Sequence, residues 1–377
     1  MTEKRPTAAE RKFVVKSATG PTEVVVGSGC LGRLEALVAA ARPRARRTLL
    51  LVDAGVADPR VHGRWAGEWA PDAKTVVVPA GEAGKTREVH AELEDEILAA
   101  GLTRDDVVVA VGGGATLDVA GYAAATTRRG IPWAAAPTSV VGQVDACLGG
   151  KVAINHGRGK NLLGTFHPPF AAIVDVTTLR TLPSRERIAG LAEVYKCGVV
   201  GDATLLALLE RRGAVDDEAW WVDAVGRALA VKARLVEADE RDHGVRRALN
   251  YGHTVGHALE TALGNDAMRH GEAVAVGMGV AAEVARGRGG VDSDWIEAQD
   301  AALARLGLPT RVPADTPVSR LLEIAGDDKK RRADGLLAMV LPRREGGVAV
   351  AEDVSPTEVE AAIIARRDRR SARGGSR

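Results

Sequence analysis

Three of the eight histidines lie within one 18-residue stretch in the second half of the chain. His253 and His257 are four residues apart and therefore share one face of a helix, and His270 begins another helical segment. Glu193 lies in a third such segment. Two imidazoles and one carboxylate suit zinc or cobalt, and three protein ligands leave a position open for a substrate. We predict that Glu193, His253 and His270 bind the metal and that His257 acts beside them.

Cationic side chains lie close in sequence to these segments or follow them. On solvated helix faces they would have no function, whereas around a metal they would bind a phosphorylated, carboxylated substrate. Sequence spacing leaves both interpretations open. The cations are Lys196, Lys232, Arg246, Lys329 and Lys330.

Three glycines, Gly112 to Gly114, end a β-branched run in the first half, and Asp118 follows in a helical pattern. Such a turn lets backbone amides approach a phosphate closely, although alone it is equally typical of an ordinary tight turn. The spacing is not GxGxxG, so any dinucleotide would be bound with a different geometry.

A second turn, residues 79–85, also follows a predicted strand. Glu82 could accept hydrogen bonds from ribose hydroxyls, and Lys85 could neutralise a pyrophosphate. Asp53 ends the preceding strand, the usual place for an acidic ribose contact. Taken singly, each is better explained as a helix cap or an exposed charge.

The segment 137–161 combines glycines with Asp145, Lys151, Lys160 and Asn161. Its low helix propensity predicts an irregular segment. Lysines between glycines favour anion binding, because the backbone can fold around a phosphate that the ammonium groups neutralise. A flexible surface loop is the alternative.

The elements that must position these residues fall into two halves. Strands ending near residues 53, 80, 112 and 176 alternate with helical segments, which predicts an α/β, Rossmann-like domain over residues 1–183. An antiparallel hairpin is expected before them, around Gly20-Pro21. Residues 184–377 have helical periodicity and few strand signals, which predicts a mainly α-helical, metal- and substrate-binding domain with a basic, disordered tail.

Composition excludes several classes of function. Lys and Arg total 51 against 50 Asp and Glu, so no general attraction to nucleic acid or membrane is expected. No apolar run long enough to cross a bilayer and no secretory signal is recognisable. Three widely spaced cysteines favour a reducing compartment, and we expect a cytoplasmic protein.

Seven ordered segments together resemble the 3-dehydroquinate synthase family of the sugar-phosphate cyclase superfamily, over roughly residues 24–342. They are VVAVGGGATLDVAGYAAATTRRG, PTSVVGQVDACLGGKVAIN, GKNLLGTFHPP, TLRTLPSRERIAGLAEVYK, RRALNYGHTVGHALE, HGEAVAVGM and DDKKRRADG.

The resemblance implies a role for each matching position. The metal ligands, zinc or cobalt, would be the three already predicted. The NAD contacts would be Asp53, Gly81, Glu82, Lys85, Gly114, Ala115, Thr116, Leu117, Asp118, Thr138, Ser139, Lys151, Lys160, Thr178, Leu179, Arg180 and Thr181. The substrate and catalytic positions would be Asp145, Lys151, Asn161, Lys196, Lys232, Arg246, Asn250, His257 and one of Lys329 and Lys330, with Arg129 reaching from the partner of a homodimer.

The implied reaction is the cyclisation of 3-deoxy-arabino-heptulosonate 7-phosphate to 3-dehydroquinate with release of phosphate, in which NAD is regenerated at each turnover. The pathway would be that of shikimate and aromatic amino acids. Val152 after Lys151 and Cys197 after Lys196 depart from the family pattern. They leave open an aminodehydroquinate synthase that acts on the 4-amino analogue. A metal-dependent polyol dehydrogenase and a non-catalytic paralogue are the further alternatives.

Overall fold

The computed structural model describes residues 10–57, 73–211, 217–264, 267–327 and 335–368. The chain forms two compact units. Unit 1 comprises Met1–Arg187 and Gly213–Arg246, and unit 2 comprises Ile188–Arg212 and Arg247–Arg377.

Unit 1 is built on a seven-stranded sheet with the order β1-β2-β9-β6-β5-β3-β4. The β1–β2 pair is antiparallel, as the predicted hairpin requires, and the other neighbours are parallel. Its strands are β1 (Arg11–Val15), β2 (Thr22–Gly27), β3 (Thr48–Asp53), β4 (Lys74–Val78), β5 (Val107–Gly112), β6 (Trp133–Pro137) and β9 (Ala171–Asp175).

The central strands form because their residues are apolar on both faces. All residues of β5, β6 and β9 are buried, as a parallel sheet covered on two sides requires. The strand β6 was missed in the sequence because its core is three alanines, which have low strand propensity.

Helices of unit 1 connect and cover this sheet. They are α1 (Leu34–Ala41), α2 (Ala54–Ala57), α3 (Arg87–Ala99), α4 (Gly114–Thr126) and α7 (Glu218–Ala238). Short 3-10 turns span Cys30–Arg33, Gly81–Gly84, Thr127–Arg129 and Val176–Arg180.

The segment 137–161, which we expected to be irregular, contains regular structure. A π-helical turn, Gly142–Ala146, precedes an antiparallel hairpin of β7 (Lys151–His156) and β8 (Gly159–Phe166). Val152 and Ile154 are buried and alternate with more exposed neighbours. This period-two pattern was present in the sequence, but the surrounding glycines obscured it.

Unit 2 is mainly helical. Its helices are α5 (Ser184–Gly201), which begins in unit 1, α6 (Ala203–Glu210), α8 (His253–Leu263), α9 (His270–Gly287), α10 (Ser293–Arg305), α11 (Val318–Asp327) and α12 (Pro356–Ala365). A 3-10 turn, Val245–Asn250, crosses from unit 1 and precedes α8.

Two features of the second half differ from the sequence prediction. An antiparallel hairpin of β10 (Leu337–Pro342) and β11 (Val348–Val354) follows the helices up to α11. Residues 213–246 belong to unit 1 rather than to the predicted domain 184–377, because α7 packs against β1 and β2. Helical periodicity shows that a segment is a helix but not which core it covers.

Among the described helices, none is long and apolar enough to cross a membrane. The three cysteines, Cys30, Cys147 and Cys197, are buried free thiols.

Candidate metal and cofactor sites

Three helices of unit 2 bring Glu193, His253 and His270 together. Glu193 lies near the middle of α5, in a stretch where every residue from 189 to 199 is buried. His253 and His270 are the first residues of α8 and α9. One ligand atom from each of the three side chains lies within 4.8 Å of the other two.

Close backbone contacts hold these helices in place. A Cβ atom on Gly271 would lie 1.8 Å from the carbonyl oxygen of Ala189 on α5, and one on Gly277 would lie 2.0 Å from that of Gly252. Neither position can accept a side chain without moving a helix. The glycines of α9 therefore fix His270 relative to both Glu193 and His253.

Both imidazoles present their Nε2 atoms to the same carboxylate oxygen. The Nε2 atoms of His253 and His270 are each 3.5 Å from Oε1 of Glu193. The Nδ1 atom of His270 is 3.0 Å from Oε2 of Glu260, and that of His253 is 3.2 Å from the carbonyl oxygen of Tyr251. Donation from Nδ1 to these acceptors orients each ring so that its Nε2 atom is directed at Glu193.

The charge of Glu193 is balanced on one side only. Its Oε2 atom accepts a hydrogen bond from the buried Lys196, whereas the buried Oε1 atom has no hydrogen-bond partner in the described structure. Burial acts to raise the pKa of Glu193, but the positive charge of Lys196 and the contacts with His253 and His270 hold it well below its usual range. The carboxylate is therefore ionised and acts as an acceptor at Oε1.

The two imidazoles differ in protonation. Burial, reinforced by the charge of Lys196, lowers the pKa of His253 to about 3. Burial also acts to lower the pKa of His270, but the adjacent carboxylates of Glu193 and Glu260 raise it to about 10. A proton on His270 thus supplies positive charge where a metal cation would supply it, and metal binding would displace that proton.

His257 lies one turn beyond His253 on α8, with its ring centroid 5.2 Å from that of His253 and 6.0 Å from that of His270. It is exposed, as a group that acts on a substrate must be. His257, Glu260 and His270 form a second group whose ligand atoms lie within 4.8 Å of one another. Asn250 ends the 3-10 turn three residues before His253.

In unit 1, a buried lysine joins two of the predicted NAD-binding segments. The Nζ atom of Lys85 is 2.6 Å from Oδ2 of Asp118 on α4 and also donates to Oδ1 of Asn161 on β8. Burial raises the pKa of Asp118 to about 6, although Lys85 opposes this shift. Asn155 donates to Glu82 at 2.6 Å and accepts from the backbone of Asn161 at 3.0 Å.

Asp53 has structural partners for both of its carboxylate oxygens. One accepts from the backbone of Gly55 at 2.8 Å, and the other accepts from the hydroxyl of Thr116 at 2.7 Å. Asp53 thereby ties the end of β3 to the first turn of α4.

The remaining predicted NAD contacts in the parallel sheet follow the carboxyl ends of neighbouring strands, which meet at one edge of the sheet. The side chains of Leu117, Thr178 and Leu179 are almost fully buried, so only their backbones could contact a ligand. Arg180 pairs with Glu218. The other predicted NAD contacts lie in the turns and helix starts that follow these strands, and they are Gly81, Gly114, Ala115, Thr138, Ser139 and Thr181.

Several predicted cations of unit 1 pair with acids or carbonyls. Lys232 of α7 donates to the backbone oxygen of Asp145 and to its carboxylate at 2.5 Å. Lys151, at the start of β7, pairs with Asp242. The buried Arg246 donates to the carbonyl oxygens of Gly149 and Glu240, at 3.2 and 2.7 Å.

The other predicted positions are Lys160, Arg129, Lys329 and Lys330. Lys160 is exposed on the β7–β8 hairpin, and Arg129 lies in a 3-10 turn with a positive φ of 66°. Lys329 and Lys330 lie outside the described residues.

Sequence reasoning missed Glu260, Tyr251 and Asp242, which hold predicted site residues in place. Glu260 could have been found, because it follows His253 by two helical turns and so shares its face. Tyr251 acts through its backbone carbonyl, and Asp242 is far in sequence from its partner Lys151. Neither contact therefore produces a local sequence pattern.

Comparison with known proteins places both halves in one family. Residues 75–189 match the N-terminal family model of 3-dehydroquinate synthase, and residues 190–331 match the C-terminal one. A 3-dehydroquinate synthase from Synechococcus sp. (strain CC9605) is 41% identical over 90% of this chain and 93% of its own length. One from Symbiobacterium thermophilum is 42% identical over 89% and 95%.

Among solved structures, a 2-epi-5-epi-valiolone synthase from Streptomyces hygroscopicus subsp. jinggangensis 5008 with NAD⁺ and Zn²⁺ bound is 30% identical, with a TM-score of 0.82 over 94% of this chain and 98% of that one. A 2-deoxy-scyllo-inosose synthase complexed with carbaglucose-6-phosphate, NAD⁺ and Co²⁺ is 26% identical, with the same TM-score over 94% and 99%. A probable glycerol dehydrogenase from Sinorhizobium meliloti 1021, 19% identical with a TM-score of 0.59 over 90% and 94%, shares the fold.

The Lys85–Asp118 pair predicts a pH-dependent loss of stability. Lys85→Met leaves the partly buried Asp118 carboxylate without its cation, which should lower the free energy of unfolding by about 3 kcal/mol at pH 8. The folded-state pKa of Asp118, already raised to about 6, would rise further in the variant. The penalty should therefore shrink at pH 5, where Asp118 is protonated in the folded variant.

Urea unfolding at pH 8 and pH 5 measures this difference. Lys74→Met is the control, because the Lys74–Glu96 pair is exposed and should contribute less than about 1 kcal/mol at either pH. An equal loss for Lys85→Met at both pH values would contradict the assignment.

Proposed function

The chain belongs to the 3-dehydroquinate synthase family, and we propose that it converts 3-deoxy-arabino-heptulosonate 7-phosphate into 3-dehydroquinate with release of phosphate. It is then a carbon–oxygen lyase of aromatic amino acid biosynthesis, in the shikimate pathway, that depends on NAD and on zinc or cobalt. Identity of 41–42% to dehydroquinate synthases, against 30% and 26% to the valiolone and inosose synthases, favours this substrate over theirs.

The proposal depends above all on the arrangement around Glu193. An ionised, almost fully buried carboxylate oxygen without a hydrogen bond faces two Nε2 atoms at 3.5 Å, and this donor set fits a zinc or cobalt ion. Glu193, His253 and His270 would hold the ion. When bound, it would act as a Lewis acid that lowers the pKa of a coordinated substrate hydroxyl.

The neighbouring residues of unit 2 orient this donor set. Lys196 holds Oε2 of Glu193, so that Oε1 remains for the metal. Glu260 keeps the Nδ1 proton of His270, which directs Nε2 inward. His257 and Asn250 are proposed to contact the substrate, with the exposed imidazole of His257 accepting or donating a proton.

In unit 1, the residues at the carboxyl edge of the sheet are proposed to bind NAD, which would accept a hydride from the substrate and return it within one turnover. Lys85, Glu82 and Asp118 form the polar part of this set. Asp145, Lys151, Asn161, Lys232 and Arg246 are proposed substrate contacts, in which the cations would neutralise phosphate and carboxylate groups.

Phosphate release tests the proposal. Purified protein with catalytic NAD and cobalt should release inorganic phosphate from 3-deoxy-arabino-heptulosonate 7-phosphate without net formation of NADH. The 4-amino analogue and glycerol are assayed in parallel. Phosphate release from the amino analogue alone would assign an aminodehydroquinate synthase instead, and stoichiometric NADH with glycerol would assign a polyol dehydrogenase.

Metal retention tests the proposed ligands separately. Glu193→Ala and His253→Ala should each lower bound zinc or cobalt by at least about tenfold, measured by elemental analysis after gel filtration, since each removes one of three ligands. The control is His243→Ala, an exposed histidine of unit 1, which should retain the metal. Normal metal content in both ligand variants, with circular dichroism unchanged, would reject the assignment.

We further propose that the protein is a cytoplasmic homodimer in which Arg129 serves the partner's active site. Arg129 is exposed, and its positive φ is a strained conformation of the kind that occurs at functional sites. Both features support a contact with a partner subunit. Mixing inactive Arg129→Ala and His253→Ala proteins under exchange conditions should then restore about one quarter of the wild-type rate, because half of the subunits would pair into heterodimers with one intact site each. If Arg129 serves its own subunit, no activity will return.

A further inference from the structure

Unit 2 contains a cavity of about 620 Å³ that lies among α5, α6, α10 and the turn between β10 and β11. This volume is within the range of small-molecule sites. Apolar side chains form much of its wall, among them Val199, Leu206, Leu209, Trp295 and Leu306. Of the described residues proposed above for metal, NAD or substrate binding, none lines it.

Two donors in this wall make no hydrogen bond among the described residues, and one of them is fully buried. The side chain of Gln299, 2% exposed, lies in the wall, and its Nε2 atom makes no hydrogen bond among the described residues. Tyr195 is 6% exposed, and its hydroxyl donates to no described residue. The Nε2 atom of Gln299 is inaccessible, whereas the hydroxyl of Tyr195 is not among the fully buried atoms, so a ligand that supplies an acceptor would gain affinity from Tyr195.

The orientation of the Gln299 amide follows from its neighbour. The hydroxyl of the buried Tyr251 is 2.6 Å from Oε1 of Gln299, a separation typical of O–H···O rather than of N–H···O hydrogen bonds. Oε1 is therefore the acceptor, and Nε2 is the buried donor that lacks a partner among the described residues.

The charged residues of the cavity wall include two cations. The guanidinium groups of Arg305 and Arg343 form no ion pair among the described residues. Of the acids, Asp202 is occupied in capping α6 through the backbone amides of Thr204 and Leu205, and Glu210 and Glu345 are exposed. A ligand anion would thus meet the hydroxyl of Tyr195 and two available cations.

We propose that this cavity is a second small-molecule site, which binds a compound with an apolar ring or chain and one carboxylate group. The apolar part would pack against the leucines and Trp295, and the carboxylate would accept a hydrogen bond from Tyr195 and lie near the guanidinium groups of Arg305 and Arg343. The site is independent of the proposed function, and either assignment can fail without the other.

Calorimetric titration of the NAD- and zinc-loaded full chain with 2-naphthoate tests the site. We expect one equivalent to bind, and 2-naphthylmethylamine, which carries a cation in place of the carboxylate, not to bind. Tyr195→Phe should weaken binding of 2-naphthoate roughly tenfold, because a hydrogen bond to a charged acceptor is lost. Ala302→Phe, which fills the cavity from α10, should abolish binding.

Tyr122→Phe is the matched control, since Tyr122 lies on α4 in unit 1 and should leave the affinity unchanged. Thermal melts establish that each variant is folded, and Ala302→Phe keeps the test decisive if Tyr195→Phe does not fold. The proposal is overturned if 2-naphthoate does not bind the wild-type chain, if it binds Ala302→Phe with wild-type affinity, or if the amine binds equally well.

Discussion

The structure of unit 2 depends on the placement of one ionised carboxylate, that of Glu193, inside a helical core. Glu193 is only 1% exposed, and burying an ionised carboxylate is strongly unfavourable unless opposite charges and hydrogen-bond donors surround it. Lys196 satisfies one oxygen, and the two imidazoles face the other. A metal ion at Oε1 would complete this compensation. The same charge that is unfavourable in an apolar core would thus favour the binding of a cation.

The geometry that serves this carboxylate comes from small residues at helix contacts. Gly271 and Gly277 let α9 approach the backbones that carry Glu193 and His253. Tyr251 links this site to the second cavity. Its carbonyl oxygen contacts His253, and its hydroxyl donates to Gln299 in the wall of that cavity. Helix packing in this unit therefore sets the positions of the proposed metal ligands.

Much of the fold could be predicted from the sequence because its signals are local. The β-branched runs of β3, β4, β5 and β9 and the helix starts at Gly114, His253 and His270 follow from patterns within a few residues. The strand β6 could not be recognised, since alanine has no strand preference. The assignment of α7 to unit 1 depends on packing against distant strands, which periodicity does not encode.

The candidate site, like the fold, could be predicted only where its signals are local in sequence. Residue type and spacing singled out one carboxylate and two imidazoles, and the structure brings those three side chains together. The residues that orient them, Glu260 and Tyr251, act through contacts that the sequence does not show.

The central claim is that Glu193, His253 and His270 share one metal ion, and X-ray absorption spectroscopy of the cobalt-loaded protein tests it most directly. The account predicts a first shell of nitrogen and oxygen atoms with the multiple scattering of two imidazoles, reduced to one imidazole in His270→Ala. A shell with no imidazole scattering, or one unchanged by that substitution, would contradict it.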